Sequence, residues 1–333
     1  MRLGSDIIPI SPNLLILHGP LMVSGFLGTL IGLERAVALG RGWTYLAPFL
    51  TGVGAIMLLI SRQSVNGPLL MTLGSLVLVS IFFTIFRMQP AFHTIIMGIG
   101  AFSWFTGNIL WFLGIPIHQV VLWWIGFLVL TIAGERLELT RMLQPSGVSR
   151  VYFLITILIF LSGIVLTRVT FDIGIRIAGV GMIVLSLWLF RYDIARRTVR
   201  QTGLPKFIAI CLLSGYIWLL FSGFMALLYG GVIGGPYYDV ILHSIFLGFI
   251  FVMIFGHAPI IFPAVLGVYI SFHPRFYIHL ILLHLTLILR ITGDLTGWFP
   301  GREWGGLLNA LAILIFFANT ISATRLSSKL QGI

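Results

Sequence analysis

The sequence predicts an all-α membrane protein of about 11 transmembrane helices in a pseudo-threefold arrangement of four-helix repeats (4+4+3). Three observations predict it. The 333 residues are 59% hydrophobic and only 9% charged, far less charge than a soluble domain of this size carries on its surface. Apolar runs recur along the whole chain, several longer than the ~20 residues needed to cross a bilayer core, and mean hydropathy is +1.08. A short pattern also returns three times at a regular interval. No polar connector is long enough to fold by itself, so residues 1–333 read as a single transmembrane domain.

The spanning segments begin near Leu14, Trp43, Pro68, Ala91, Gln119, Val151, Ile173, Pro205, Asp239, Phe276 and Trp304. Alternate connectors are strongly basic. With the N-terminus outside, inner loops hold 14 of the 20 Lys and Arg residues: Arg35, Arg41, Arg87, Arg136, Arg141, Arg150, Arg191, Arg196, Arg197, Arg200, Lys206, Arg275, Arg325 and Lys329. The outer side holds Arg2, Arg62, Arg168, Arg176, Arg290 and Arg302. Lys and Arg concentrate in cytoplasmic loops, which puts the N-terminus outside and the C-terminus in the cytoplasm. This placement also explains the net charge of +11 without nucleic acid as a partner; the bilayer is the partner expected. Trp43, Tyr45, Tyr237, Tyr238, Trp298 and Trp304 near span ends suit the interfacial belts. No removable signal peptide is read at the N-terminus. The single cysteine, Cys211, excludes an intramolecular disulfide, a CxxCH haem attachment and a cysteine-ligated iron–sulfur cluster.

The recurring pattern aligns without a gap: Gly25 to Arg35 (GFLGTLIGLER), Gly126 to Arg136 (GFLVLTIAGER) and Gly248 to Ala258 (GFIFVMIFGHA). Each copy begins Gly-Phe and reaches a polar residue nine positions on: Glu34, Glu135 or His257. Each follows a histidine, His18, His118 or His243. The copies fall on the first, fifth and ninth helices, implying repeat units of roughly 14–115, 116–236 and 237–333, the last one helix short.

Ionisable groups inside a membrane are costly and turn toward the bundle interior or a cavity. Rise along the helix sorts them into two layers. The outer layer has His18, His118 and His243. The inner layer has Glu34, Arg35, His93, Glu135, Arg136, His257 and His279, with His284 between the layers. His118 follows Ile-Pro-Ile and belongs to a helix start or a loop. His273, before Pro274, is solvated. Neutral imidazole ligates haem iron, copper or zinc. Without a cysteine cluster or an acidic metal motif, haem b is the most economical cofactor, with copper the second candidate. Candidate cofactor ligands are His18, His243, His118, His257, His93 and His284, with His18, His243 and His257 also the metal candidates. Outer arginines such as Arg62, Arg168 or Arg302 are suited to haem propionates. Glu34, Arg35, Glu135 and Arg136 form either a helix-end anchor or a proton route and inner vestibule. Adjacent residues do not face each other on a helix, so their ion pairs should run between helices, for example Glu34 with Arg136. Pro259 and Pro263 should bend or end the ninth helix.

Three stretches resemble the NnrS family of haem- and copper-binding membrane proteins. His18-Gly-Pro-Leu-Met-Val-Ser-Gly-Phe is similar to that family's early His-x-x-Leu/Met-x-x-Gly-Phe helix. Ala133-Gly-Glu-Arg-Leu-Glu-Leu-Thr resembles its central segment, with Leu137-Glu138-Leu139 where the family has Pro-x-Phe. His243-Ser-Ile-Phe-Leu-Gly to Gly256-His257 is similar to its late helix and Gly-His pair. The resemblance implies a haem and copper protein linked to nitric oxide metabolism. The three-by-four plan is also similar to the catalytic subunit of haem–copper oxidases. The chain lacks that subunit's paired histidines and His-x-x-x-Tyr pattern, so oxygen reduction is not implied.

The leading expectation is a b-type haem-binding, copper-competent membrane protein in redox chemistry or nitric oxide metabolism, with a small gas as ligand and no catalytic step assigned. The alternatives are a proton-coupled transporter, favoured by repeats, glycines and buried Glu and His, and a non-catalytic subunit of a respiratory assembly, partnered by other membrane subunits or a second copy.

Overall fold

The computed structural model describes residues 17–61, 64–143, 146–268 and 270–330, with side chains through Thr324 except that of residue 142. The protein is 87% helical, without strands among the described residues. Eleven described helices are long and apolar enough to span a membrane: α1 Leu17–Leu39, α2 Gly42–Ile60, α3 Asn66–Met88, α4 Phe92–Phe112, α5 Ile117–Thr140, α6 Gly147–Leu166, α7 Phe171–Tyr192, α8 Gly203–Tyr229, α9 Pro236–Leu266, α10 Phe276–Thr296 and α11 Phe299–Thr324. The protein is an all-α, multi-pass membrane protein. Every described helix start lies within five residues of the expected one. The expected start at Leu14, together with Arg2 and Arg62, lies outside the described residues, as do the side chains of Arg325 and Lys329.

The distribution of side chains is that of a lipid-solvated bundle. Phe49, Phe83, Leu158, Leu285 and Leu314 are more than half exposed, whereas Ser24, Thr51, Asn108, Ser186, Ser222 and Asn309 are buried. In lipid the apolar residues gain nothing by turning inward, and small or polar side chains fasten the helices to each other.

The chain forms two compact units, Met1–Glu138 and Leu139–Ile333. In the first, Asn108 on α4 ties four helices together. Its Oδ1 accepts from Ser24 Oγ on α1 at 2.9 Å and from Trp124 Nε1 on α5 at 3.0 Å, and its amide donates to the Met71 carbonyl on α3 at 3.3 Å. Trp104 Nε1 completes the set by donating to Ser24 Oγ at 3.0 Å, while its ring stacks on Phe127. Such a network is worth most where no water competes for its members.

In the second unit, neighbouring helices are stitched in sequence. Trp188 Nε1 donates to the Ser149 carbonyl (α7 to α6), Ser186 Oγ to the Tyr216 carbonyl (α7 to α8), Ser222 Oγ to the Ile241 carbonyl (α8 to α9) and Thr286 Oγ1 to Asn309 Oδ1 (α10 to α11). The α7–α8 crossing depends on two glycines. A Cβ added at Gly179 would sit 2.7 Å from the Gly223 carbonyl oxygen, and one at Gly223 would sit 2.8 Å from that of Gly179.

Two of the three aligned segments share a local distortion. α1 is π-helical over Leu21–Leu27 and α9 over Ser244–Phe251, in each case just after the histidine and across the Gly-Phe pair. α5, carrying the remaining copy, is α-helical throughout. π-Helical stretches are rare and concentrate at functional sites. α9 does not end at its prolines: it continues through Pro259 and Pro263 and stops at Gly267, whose φ of 66° only glycine adopts easily. Carbonyls freed by proline are tolerated inside a membrane bundle when packed neighbours shield or satisfy them.

Asn108→Leu removes the acceptor of two buried donors. It should cost about 1–3 kcal/mol, read as a lowered melting temperature in detergent, with Asn108→Asp milder because it keeps the acceptor. An unchanged melting temperature for Asn108→Leu would contradict the network's role.

Candidate functional site

The second unit holds a buried ionic network at the start of α9. Asp239 lies in its first turn, and Asp294 near the end of α10 lies beside it. The side chain of Asp239 is 8% exposed and that of Asp294 fully buried. Arg290 on α10 clamps Asp239 Oδ2 with Nε at 2.9 Å and Nη2 at 2.8 Å. Arg302 on α11 reaches Asp294 Oδ1 through Nε at 3.0 Å. Two arginines thus stand beside two acidic side chains, next to a histidine.

That histidine is His243, one turn after Asp239 on the same helix. Its Nδ1 lies 3.0 Å from the Asp239 carbonyl oxygen and 3.3 Å from Asp239 Oδ1. A carbonyl oxygen only accepts, so Nδ1 carries the proton and the lone pair is on Nε2. His257, about four turns on, shares the backbone part of this arrangement, with Nδ1 donating to the Met253 carbonyl at 2.7 Å. This anchoring of one ring nitrogen is what fixes tautomer and orientation in a ligating histidine.

His284 is the reverse. The indole of Trp218 only donates, and its Nε1 lies 2.9 Å from His284 Nδ1, which must therefore accept. Nε2 then carries the proton and donates to Ser214 Oγ at 3.1 Å, which passes its own to the Ile210 carbonyl at 2.8 Å. Both ring nitrogens are consumed, so His284 does not fit a ligand role. It is a helix fastener, lying close to the indole of Trp218, against which Gly248 of the α9 π-helical stretch packs with no room for a Cβ.

In the first unit the inner acidic and basic residues do come together. Arg35 on α1 pairs with Glu135 on α5 and lies 3.4 Å from its neighbour Glu34. The interhelical pair shown is thus Arg35 with Glu135. The approach of Glu34 to Arg35 departs from the expectation for adjacent residues, because both side chains are long enough to swing to a common point. His93, buried on α4, has Nε2 3.6 Å from Glu138 Oε1. Arg136 is buried in the same turn of α5. His18 is exposed at the start of α1. His118 is half-buried, and lies in the first turn of α5 rather than in a loop. Among the described residues, no group of three or more His, Cys, Asp or Glu is arranged to hold a metal ion.

Asp239, Asp294 and Glu138 were not singled out from the sequence, and Arg290 was noted only as an outer cation. A signal existed: Asp239 and His243, like Arg290 and Asp294, stand four residues apart inside apolar runs, the spacing that places side chains together on a helix.

These features define a multi-pass helical membrane protein with paired charges buried in its spans and a carboxylate-anchored histidine beside them. The chain matches, over residues 1–325, the family described as Domain of unknown function (DUF8744), and it belongs to that family. Comparison with curated proteins and with solved structures gives no match.

Arg290→Met strands the Asp239 carboxylate and should destabilise by about 3–5 kcal/mol. Asp239→Leu combined with Arg290→Met should recover most of that loss, since an apolar pair replaces a buried ion pair at little cost. A double-mutant cycle on thermal unfolding measures this, and additive losses would refute the pairing.

Proposed function

We propose that the protein is a b-type haem-binding membrane redox protein, with His243 as principal ligand. The observation that carries this reading is the anchoring of His243 Nδ1 by the backbone and carboxylate of Asp239, itself clamped by Arg290. A histidine so held is pre-set to offer Nε2 to a metal. His257, whose Nδ1 is held by the Met253 carbonyl, is the next ligand candidate, and His18, exposed on α1, is tested alongside; copper is the alternative metal at either. Arg302 near the same end would suit a propionate. A haem bound here would supply one-electron chemistry and an iron able to take a small gas such as nitric oxide. The residues of the chain hold the ring's ligand in one tautomer, balance the local charge and exclude water. The resemblance of the α1 and α9 histidine segments to a haem and copper family supports the same reading, and the excess of basic residues in alternate loops supports an N-terminus outside and a C-terminus in the cytoplasm.

A second reading is a proton-coupled carrier, and one observation favours it: two acidic side chains, Asp239 and Asp294, share a buried network inside the spans. The reduced-minus-oxidised optical spectrum of the purified protein, with metal analysis on the same sample, separates the two. The haem reading expects a b-type spectrum that His243→Ala abolishes and Asp239→Asn weakens, while His284→Ala spares its intensity. A folded, colourless, metal-free protein would sink it and leave the carrier.

A further inference from the structure

One end of α6, α7 and α8 carries a cluster of basic side chains that the redox reading does not use. Arg191, at the end of α7, is followed by Arg196, Arg197 and Arg200 in the connector and by Lys206 in the first turn of α8; all five are exposed. The hydrogen bond from Trp188 to the Ser149 carbonyl brings the first turn of α6, and with it exposed Arg150, to the same end. Arg196 spends one nitrogen on the Arg191 carbonyl, and Arg191 lies over the ring of Tyr192. Among the described residues none of the six forms an ion pair. The one acid in the connector, Asp193, is buried and accepts from the Ala195 N–H at 2.6 Å, fastening the turn, and the six basic residues outnumber it. α8 also begins without a side-chain cap, so its unpaired N–H groups add to the positive field.

Topology alone needs basic residues on one side, in any arrangement. Here six are gathered around one acid, with an apolar surface alongside them and deeper: Val148, Val151 and Tyr152 on α6 and Leu187 on α7 are each more than half exposed. A ligand suited to both layers has a phosphate above and hydrocarbon below. We infer that this end of the second unit binds anionic phospholipid headgroups of the adjoining leaflet, the acyl chains lying along α6 and α7. The apolar layer is what selects a lipid over a free phosphate ion.

Thermal unfolding of the full-length protein, titrated with phosphatidylglycerol or phosphatidylcholine in mixed micelles, tests this. Phosphatidylglycerol should protect at lower concentration than phosphatidylcholine, and its midpoint should rise roughly fivefold for each basic side chain removed in Arg197→Gln and Arg200→Gln. Arg197→Lys with Arg200→Lys should restore protection, and Arg87→Gln, on α3 in the other unit, should leave the midpoint unchanged. If the two lipids protect equally, or the Gln variants titrate like the parent, the inference fails. Equal protection by inorganic phosphate would also overturn it, in favour of a free-anion site. Because the substitutions lie at exposed positions, melting in phosphatidylcholine alone verifies that each variant is folded.

Discussion

A charge inside a lipid-solvated bundle has to find its counter-charge within the protein, and this constraint organises both units. Water is not available to share the cost of desolvation, so an unpaired carboxylate or guanidinium in a span is prohibitive while a well-made pair is tolerable. Arg35 and Glu135 join α1 to α5 on these terms. Arg290 and Asp239 join α10 to α9, and Arg302 and Asp294 join α11 to α10. The pairs fix which helix faces meet, a job that hydrophobicity, equally satisfied by lipid, does not do.

Neutral hydrogen bonds finish what the ion pairs begin, and they sort the histidines. Each imidazole has one proton and one lone pair, so whichever partner takes the first nitrogen decides the chemistry of the second. Carbonyl acceptors at His243 and His257 put the proton on Nδ1. An indole donor at His284 uses up the lone pair and makes that residue structural. Three histidines alike in sequence context are thereby given different capacities by their neighbours. The π-helical stretch that follows His243 adds backbone irregularity beside it.

The number and type of helices were legible because span length and hydropathy are properties of the local chain, and the described starts fall within five residues of those read from it. Self-similarity draws attention to the α1 and α9 histidine segments, and both contain a π-helical stretch that the α5 copy lacks. The ionic network was not. Asp239 was read only as the beginning of a helix, since what it does depends on Arg290, 51 residues away. His284 was grouped with the ligand candidates because nothing in its own segment reveals Trp218. Proline in α9 does not end the helix, one of the two outcomes the sequence suggests: the helix runs on through Pro259 and Pro263 to Gly267.

The most direct measurement is an experimental density map of the protein purified from its native membrane under non-reducing conditions. The account predicts planar density joined to His243 Nε2, with Nδ1 still held by Asp239 and Arg290 still on the carboxylate. A His243 ring whose Nε2 is packed against lipid or protein, with no bound group at that nitrogen, would contradict it.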